Sequence, residues 1–285
     1  MRRRGACPAL GLVAVLVLAG AAQGAAAPRR VVSLNPCLDV ILLAVADPGQ
    51  IAALSHYSRE PGGSTVTALA RRYPFTWGSA EEIVALRPDL VLGSGMGPPI
   101  LAGPASALQI TEAHFPVPAS VDESLDQVWR VAILTGHPER GAALVSQLRA
   151  ALAAAAPRAG EPRLKALLYE HQGLATGPGT LMDELMRRAG FDNLAPRYGL
   201  RATGEVPLEA VIADPPQVLL AGGRASSAPG WADRILSHPA LRGLANRMRR
   251  EFFPEVFTYC AGPVMAPAAQ ALARARENAR AGVSR

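Results

Sequence analysis

Pro138-Glu139-Arg140-Gly141-Ala142-Ala143-Leu144-Val145-Ser146-Gln147-Leu148-Arg149-Ala150-Ala151-Leu152-Ala153-Ala154-Ala155-Ala156 reads as one unbroken helix. Pro138 suits the first helical position, where a missing N–H costs nothing. Glu139 faces the positive end of the helix dipole. Ala and Leu, strong helix formers, fill most of the rest until Pro157 stops it. At 1.5 Å per residue such a helix is roughly 29 Å long, about the width of a small domain.

Two similar stretches flank it. Before it stands Glu81-Glu82-Ile83-Val84-Ala85-Leu86-Arg87-Pro88-Asp89-Leu90-Val91-Leu92-Gly93-Ser94-Gly95. After it stands Glu209-Ala210-Val211-Ile212-Ala213-Asp214-Pro215-Pro216-Gln217-Val218-Leu219-Leu220-Ala221-Gly222-Gly223. Each copy opens with an acid suited to a helix N-terminus, is broken by Pro, continues as a buried apolar strand, and ends in glycine. The chain therefore reads as α/β: two similar α/β lobes with mostly parallel sheets, bridged by a single long α-helix. The expected boundaries are a signal peptide over 1–27, an N-terminal lobe over 28–137, the bridging helix over 138–157 and a C-terminal lobe over 158–285. Glu255–Tyr259 reads as the last strand, before a closing helix.

The leader reading rests on Arg2, Arg3 and Arg4, then the apolar run Ala9 to Ala22, then small residues. Cys7 precedes that run and is not placed for lipid attachment. Removing 1–27 takes away those arginines and no acid, so the formal charge of +6 falls to +3. With a single lysine, Lys165, the remaining basic charge reads as scattered surface arginine rather than a nucleic-acid patch. No later apolar run is long enough to span a bilayer.

In open parallel sheets, ligands bind beyond the carboxyl ends of the strands. Those ends fall at Ser33–Cys37, His56–Ser58, Gly93–Gly97, Glu170–Gly173, Gly222–Arg224 and Tyr259–Ala261. Facing lobes would line one cleft with them. Gly177-Pro178-Gly179-Thr180 reads as a turn and helix N-cap, and no Walker lysine follows it. Cys37 and Cys260 each follow a strand, in opposite lobes. They are either a disulfide across the cleft or two separate thiols. Neither a nucleophile elbow nor a Ser/His/Asp set appears, which weighs against the rival reading of an exported α/β enzyme. His56 and His171 have no third ligand at metal spacing, which weighs against a bare zinc or manganese site.

At this point the chain resembles the periplasmic solute-binding proteins of ABC importers, of the type with two lobes and one connecting helix that serves cobalamin, ferric siderophores and haem. The resemblance rests on Arg30-Val31-Val32-Ser33-Leu34-Asn35-Pro36, on the Glu81–Leu92 motif and on Ala189-Gly190-Phe191-Asp192-Asn193-Leu194. Within the family it is most similar to the cobalamin-binding member, through His56-Tyr57-Ser58, Thr76-Trp77 and Trp231. The resemblance implies a monomeric binding protein with no catalytic residues, no resident metal and no cofactor. Its partners would be a cobalamin or iron-chelate ligand and the transmembrane subunits of an ABC permease, with no nucleic acid. The ligand residues implied are Ser33, Asn35, Cys37, His56, Tyr57, Ser58, Trp77, Gly95, His171, Trp231 and Tyr259. Tyr57, Trp77 and Trp231 are the stackers for a planar macrocycle. His56 and His171 are the candidates for axial ligation of a bound iron or cobalt, or plain cleft histidines. Glu81 and Glu209 are the implied permease-docking pair, or simply helix N-terminal acids.

Overall fold

The computed structural model describes residues 27–95, 110–222, 238–244 and 246–281. Residues 1–26 of the expected leader, and Trp231, lie outside them. The first sheet comprises β1 (Val31–Ser33), β2 (Ile51–Ser55), β3 (Phe75–Thr76), β4 (Leu90–Ser94) and β5 (Thr111–Phe115), in the order β3-β2-β1-β4-β5. Every pairing in it is parallel. The second comprises β6 (Leu164–Tyr169), β7 (Leu174–Ala175), β8 (Phe191–Asn193), β9 (Gly204–Glu205), β10 (Val218–Ala221) and β11 (Arg249–Phe252). Its order is β11-β10-β6-β7-β9, with β8 paired to β6. Here β7 alone is reversed, pairing antiparallel with both β6 and β9, while β6, β8, β10 and β11 are parallel to one another.

The helices are α1 (Pro36–Val45), α2 (Thr67–Ala70), α3 (Ala80–Leu86), α4 (Val121–Leu134), α5 (Pro138–Ala154), α6 (Leu181–Arg188), α7 (Leu208–Ala213), α8 (Pro239–Arg242) and α9 (Met265–Ala281). Side-chain caps start several of them. Asn35 Oδ1 accepts from Cys37 N at 2.8 Å, Ser120 Oγ from Glu123 N at 3.2 Å, and Thr180 Oγ1 from Asp183 N at 3.2 Å. Each satisfies an amide that has no partner inside its own helix.

The long helix between the sheets is α5. It is packed rather than free-standing: Gly141, Leu148 and Leu152 are buried, and its neighbours are α4, α9 and α1. The strands explain why. Each central strand is apolar on both faces, as a parallel strand covered on both sides must be. Val31, Leu90 and Leu92 of the first sheet and Leu168 and Leu220 of the second all enter one continuous core. That core also holds Ile41, Val128, Leu148, Met186 and Leu272 from α1, α4, α5, α6 and α9. The opposite faces form separate cores: Val32, Ile83 and Val91 in one lobe, Leu167, Val211 and Leu219 in the other.

Pairing registers show the depth of the internal repeat. Leu90 to Ser94 pair with Thr111 to Phe115, as Val218 to Ala221 pair with Arg249 to Phe252. Val31 sits opposite Leu90, and Ala166 opposite Val218. Phe115-Pro116 and Phe253-Pro254 therefore occupy matched places, and so do Asn35 and Glu170, just past the first strand of each lobe.

One expected element is corrected. Glu255–Phe257 is a 3-10 turn, and the last strand is Arg249–Phe252. Pro254 brings no further N–H donor to the strand, and among the described residues β11 is an edge strand, paired with β10.

Candidate functional site in the interlobe cleft

The carboxyl ends of the two sheets enclose a cavity of about 380 Å³. The first lobe contributes Asn35, Leu38, Ser94 and the run Phe115 to Ala119, a mostly apolar wall. The second contributes Glu170, Thr176, Thr180, Thr203, Thr258 and Tyr259, with Leu181, Met182 and Phe257 between them. A mainly apolar pocket with a few fixed polar groups is the usual form of a small-molecule site.

Cys37 and Cys260 form a disulfide, with Cα atoms 5.0 Å apart, and both line the cavity. The bond joins the first turn of α1 to the segment leading into α9, and so ties one lobe to the other at the cavity wall. Further cross-lobe bonds lie nearby: Val121 N donates to Glu184 Oε2 at 2.8 Å, and Gly262 N to Ser124 Oγ at 2.8 Å.

Glu170 follows β6 directly and is half-buried. Thr176 Oγ1 donates to its Oε1 at 2.9 Å, and Thr258 Oγ1 to its Oε2 at 3.0 Å. Burial pushes the Glu170 carboxyl above the usual range. The two hydroxyls pull it back in part, and Glu255 adds to the rise. Glu255 is itself buried and accepts from Tyr259 OH at 2.5 Å.

Of the residues expected to bind a ligand, Asn35, Cys37 and Tyr259 line the cavity. Ser33 and Ser58 face inward. Both are buried, and Ser58 Oγ donates to Asp39 Oδ2 at 2.6 Å. Asp39 is fully buried in α1 and also accepts from Ser55 N at 3.0 Å. Burial pushes its carboxyl up to about 7, against the opposing pull of Ser33, Ser58 and Ser55. Gly95 lies beside the wall: its N–H donates to Phe115 O at 2.7 Å, and its neighbour Ser94 is the lining residue.

His56, Tyr57 and Trp77 form their own cluster past β2 and β3, outside the described cavity wall. The His56 ring lies 3.9 Å from Tyr57 and 4.2 Å from Trp77, centroid to centroid. Tyr57 is 52% and Trp77 66% exposed, so the stack is open to solvent. His171 sits in the 3-10 turn after β6.

Glu81 and Glu209 are both exposed, in the first turns of α3 and α7. Glu82, the neighbouring acid, is occupied. Thr76 Oγ1 donates to it at 2.5 Å and Trp77 N at 2.8 Å, and the Thr76 bond leads the effects holding its carboxyl below the usual range.

Sequence reasoning reaches Glu170 only as the start of a strand-end loop, without a role of its own, and passes over Thr176, Thr258 and Phe115-Pro116. A usable signal existed. Phe-Pro recurs at 115–116 and 253–254, and Glu170 ends the run after β6 as Asn35 does after β1.

Among the described residues, no helix is long and apolar enough to cross a membrane, and no group of three or more His, Cys, Asp or Glu could hold a metal ion. The family model described as periplasmic binding protein matches residues 31–246. A vitamin B12-binding protein of Yersinia pestis (strain Pestoides F) is 27% identical over 219 residues, 75% of this chain and 76% of that protein. Among solved structures, the periplasmic heme-binding protein RhuT from Roseiflexus sp. RS-1 is 26% identical, with a TM-score of 0.65 over 87% of this chain and 98% of that one. The periplasmic vitamin B12 binding protein BtuF of Vibrio cholerae shares the fold at 18% identity, with a TM-score of 0.64 over 89% of this chain and 98% of that one.

Proposed function

We infer function from one premise: the chain belongs to the periplasmic binding protein family. We propose that it is the periplasmic, monomeric capture component of an ABC importer, and that it takes cobalamin or a related corrinoid between its lobes and delivers it to the permease. It would perform no chemistry of its own. The observation that carries this reading is the cavity where the carboxyl ends of both sheets meet, apolar on one side and polar on the other. The similarity to the Yersinia vitamin B12-binding protein supports the corrinoid, while that to RhuT keeps haem as the rival ligand.

In this reading Asn35, Tyr259 and the cystine border the ligand. Tyr57 and Trp77 offer an exposed aromatic surface at the same end of the first sheet, on which a macrocycle extending beyond the cavity could stack. Glu81 and Glu209, exposed and matched in the two lobes, would meet the permease. Their separation in the fold would fix orientation as well as steer encounter. Because one core and one disulfide join the lobes, capture would proceed with small lobe displacements.

Titration of the purified protein with cyanocobalamin, read by tryptophan fluorescence and calorimetry, tests the reading. One-to-one saturable binding at submicromolar affinity is expected. Glu81→Ala with Glu209→Ala should keep that affinity and lose uptake in a transport assay. Haemin binding in place of cyanocobalamin would overturn the corrinoid assignment.

A further inference from the structure

Glu170 is the one charged side chain among the described residues of the cavity wall, and no arginine, lysine or histidine is among them. This holds in a chain with 29 basic residues. The hydroxyl groups around it are committed as well. Thr176 and Thr258 direct their protons at the Glu170 carboxylate, and Tyr259 directs its own at Glu255. Thr180 donates to Gly177 O at 3.0 Å. On the facing wall, Gln127 Nε2 donates to Pro116 O at 3.1 Å. Donors that point into the protein leave lone pairs toward the cavity. The second-lobe wall is therefore rich in acceptors, with negative charge at Glu170 and Glu255 behind it.

From this geometry we propose that Glu170 sets ligand specificity: it accepts hydrogen bonds from N–H groups on the ligand's periphery, so the cleft takes a carboxamide-fringed or cationic chelate and rejects one bearing carboxylates. The proposal rests on the reading of this cleft as the ligand site. Its physical basis is the cost of a partly buried carboxylate. A ligand N–H lowers that cost by supplying a partner, whereas a ligand carboxylate raises it by like-charge repulsion. Rejection by an unpaired or repelled group discriminates more sharply than added attraction does. Between two macrocycles of similar breadth, corrin with its primary amides fits this wall and haem with its two propionates does not.

The test compares the wild-type protein with Glu170→Gln, which keeps the shape, removes the charge, and accepts from one threonine through its oxygen while its amide N–H can donate to the other hydroxyl. The ligands are cyanocobalamin, its monocarboxylic acids with one amide hydrolysed, cationic ferrioxamine B, haemin and anionic ferric enterobactin. Calorimetry at pH 7.5 should show wild type preferring cyanocobalamin over its most affected monocarboxylic acid by about tenfold or more, and Glu170→Gln reducing that ratio to about threefold or less. Acids that bind wild type as well as the amide does, or a ratio untouched in Glu170→Gln, would overturn the specificity role while leaving the corrinoid reading in place. Ferrioxamine B as the tightest ligand would overturn the corrinoid and keep the role of Glu170. Haemin or ferric enterobactin as the tightest ligand would overturn both, as would no binding by any member. If Glu170→Gln does not fold, by circular dichroism, the wild-type amide-to-acid ratio decides alone.

Discussion

The two lobes share a pairing register and differ in what they place on it. At matched positions after the first strand, one lobe has Asn35 and the other Glu170. Beyond β1, the first sheet continues with parallel β2 and β3, whose ends carry the open His56-Tyr57-Trp77 stack. Beyond β6, the second sheet turns back through β7, antiparallel to both β6 and β9, and this return brings Thr176 beside Glu170. The same duplicated frame thus presents a mostly apolar wall on one side of the cavity, with the aromatic stack outside it, and a wall of hydroxyls and one carboxylate on the other. The strands that repeat fix the frame, and the segments that do not repeat set the chemistry.

The largest expected effect asks whether the lobes are energetically one body. Cys37→Ser with Cys260→Ser opens a covalent loop spanning 223 positions. The chain-entropy model gives a loss of about 5 kcal/mol at 25 °C. Urea unfolding should still show one transition, moved to lower denaturant. Two separated transitions would mean that the lobes are coupled by the cystine and not by their shared core.

Next comes a buried acid in the first turn of a helix in each lobe. Asp183 is paired, accepting from Asn193 Nδ2 at 2.9 Å and facing Arg187 at 3.2 Å. Asp39 has only serine neighbours, and its pKa rises from 3.8 to about 7. The unfolded chain therefore gives up this proton first as pH increases. The stabilisation is whole below pH 3.8 and lost as pH climbs to about 7, on the order of 4 kcal/mol in all. Melting profiles of wild type and Asp39→Asn should run closest at the acid end and diverge toward the alkaline end, where wild type alone loses stability, if the slope comes from this residue.

A smaller difference tests how tightly each lobe crosses its own backbone. A Cβ on Gly222 would overlap the Phe253 carbonyl, whereas one on Gly95 would come within 3.2 Å of Pro116 Cα. We expect Gly222→Ala to cost about 3 kcal/mol and Gly95→Ala about 1 kcal/mol, read by urea unfolding. Equal costs would show that the two crossings relax alike. Smallest of all, Tyr57→Ala and Trp77→Ala should each shift stability by less than about 0.5 kcal/mol, since both rings stand in solvent. A larger loss would place the stack in the lobe's structure rather than at its surface.

Much of the fold is legible in the sequence because parallel strands buried on both faces leave unbroken runs such as Leu90-Val91-Leu92 and Val218-Leu219-Leu220. Ser120 and Thr180 mark helix starts for a reason visible in the chain, since each side chain caps an amide three residues on. Strands of two or three residues, such as β7 and β9, are too short to show any period. β11 is misread because Arg249-Arg250-Glu251-Phe252 carries no apolar run, while Val256-Phe257 next to it does. The site is half legible. The strand ends point to Asn35, Cys37 and Tyr259, but the sequence singles out His171 where the structure places Glu170 in the wall. The bond that fixes Glu170 there comes from Thr258, 88 positions further along the chain, which a reading of local sequence does not bring beside it.

The end of the chain completes the beginning of the molecule. Gly262 and Val264 lie against α1, and Met265 and Leu272 share a core with Val31 of the first strand. A polypeptide delivered N-terminus first, by a ribosome or through a membrane pore, cannot finish its first lobe until its final helix has emerged. Such long-range closure makes for slow folding. It also leaves core contacts of the first lobe unmade until that helix is available.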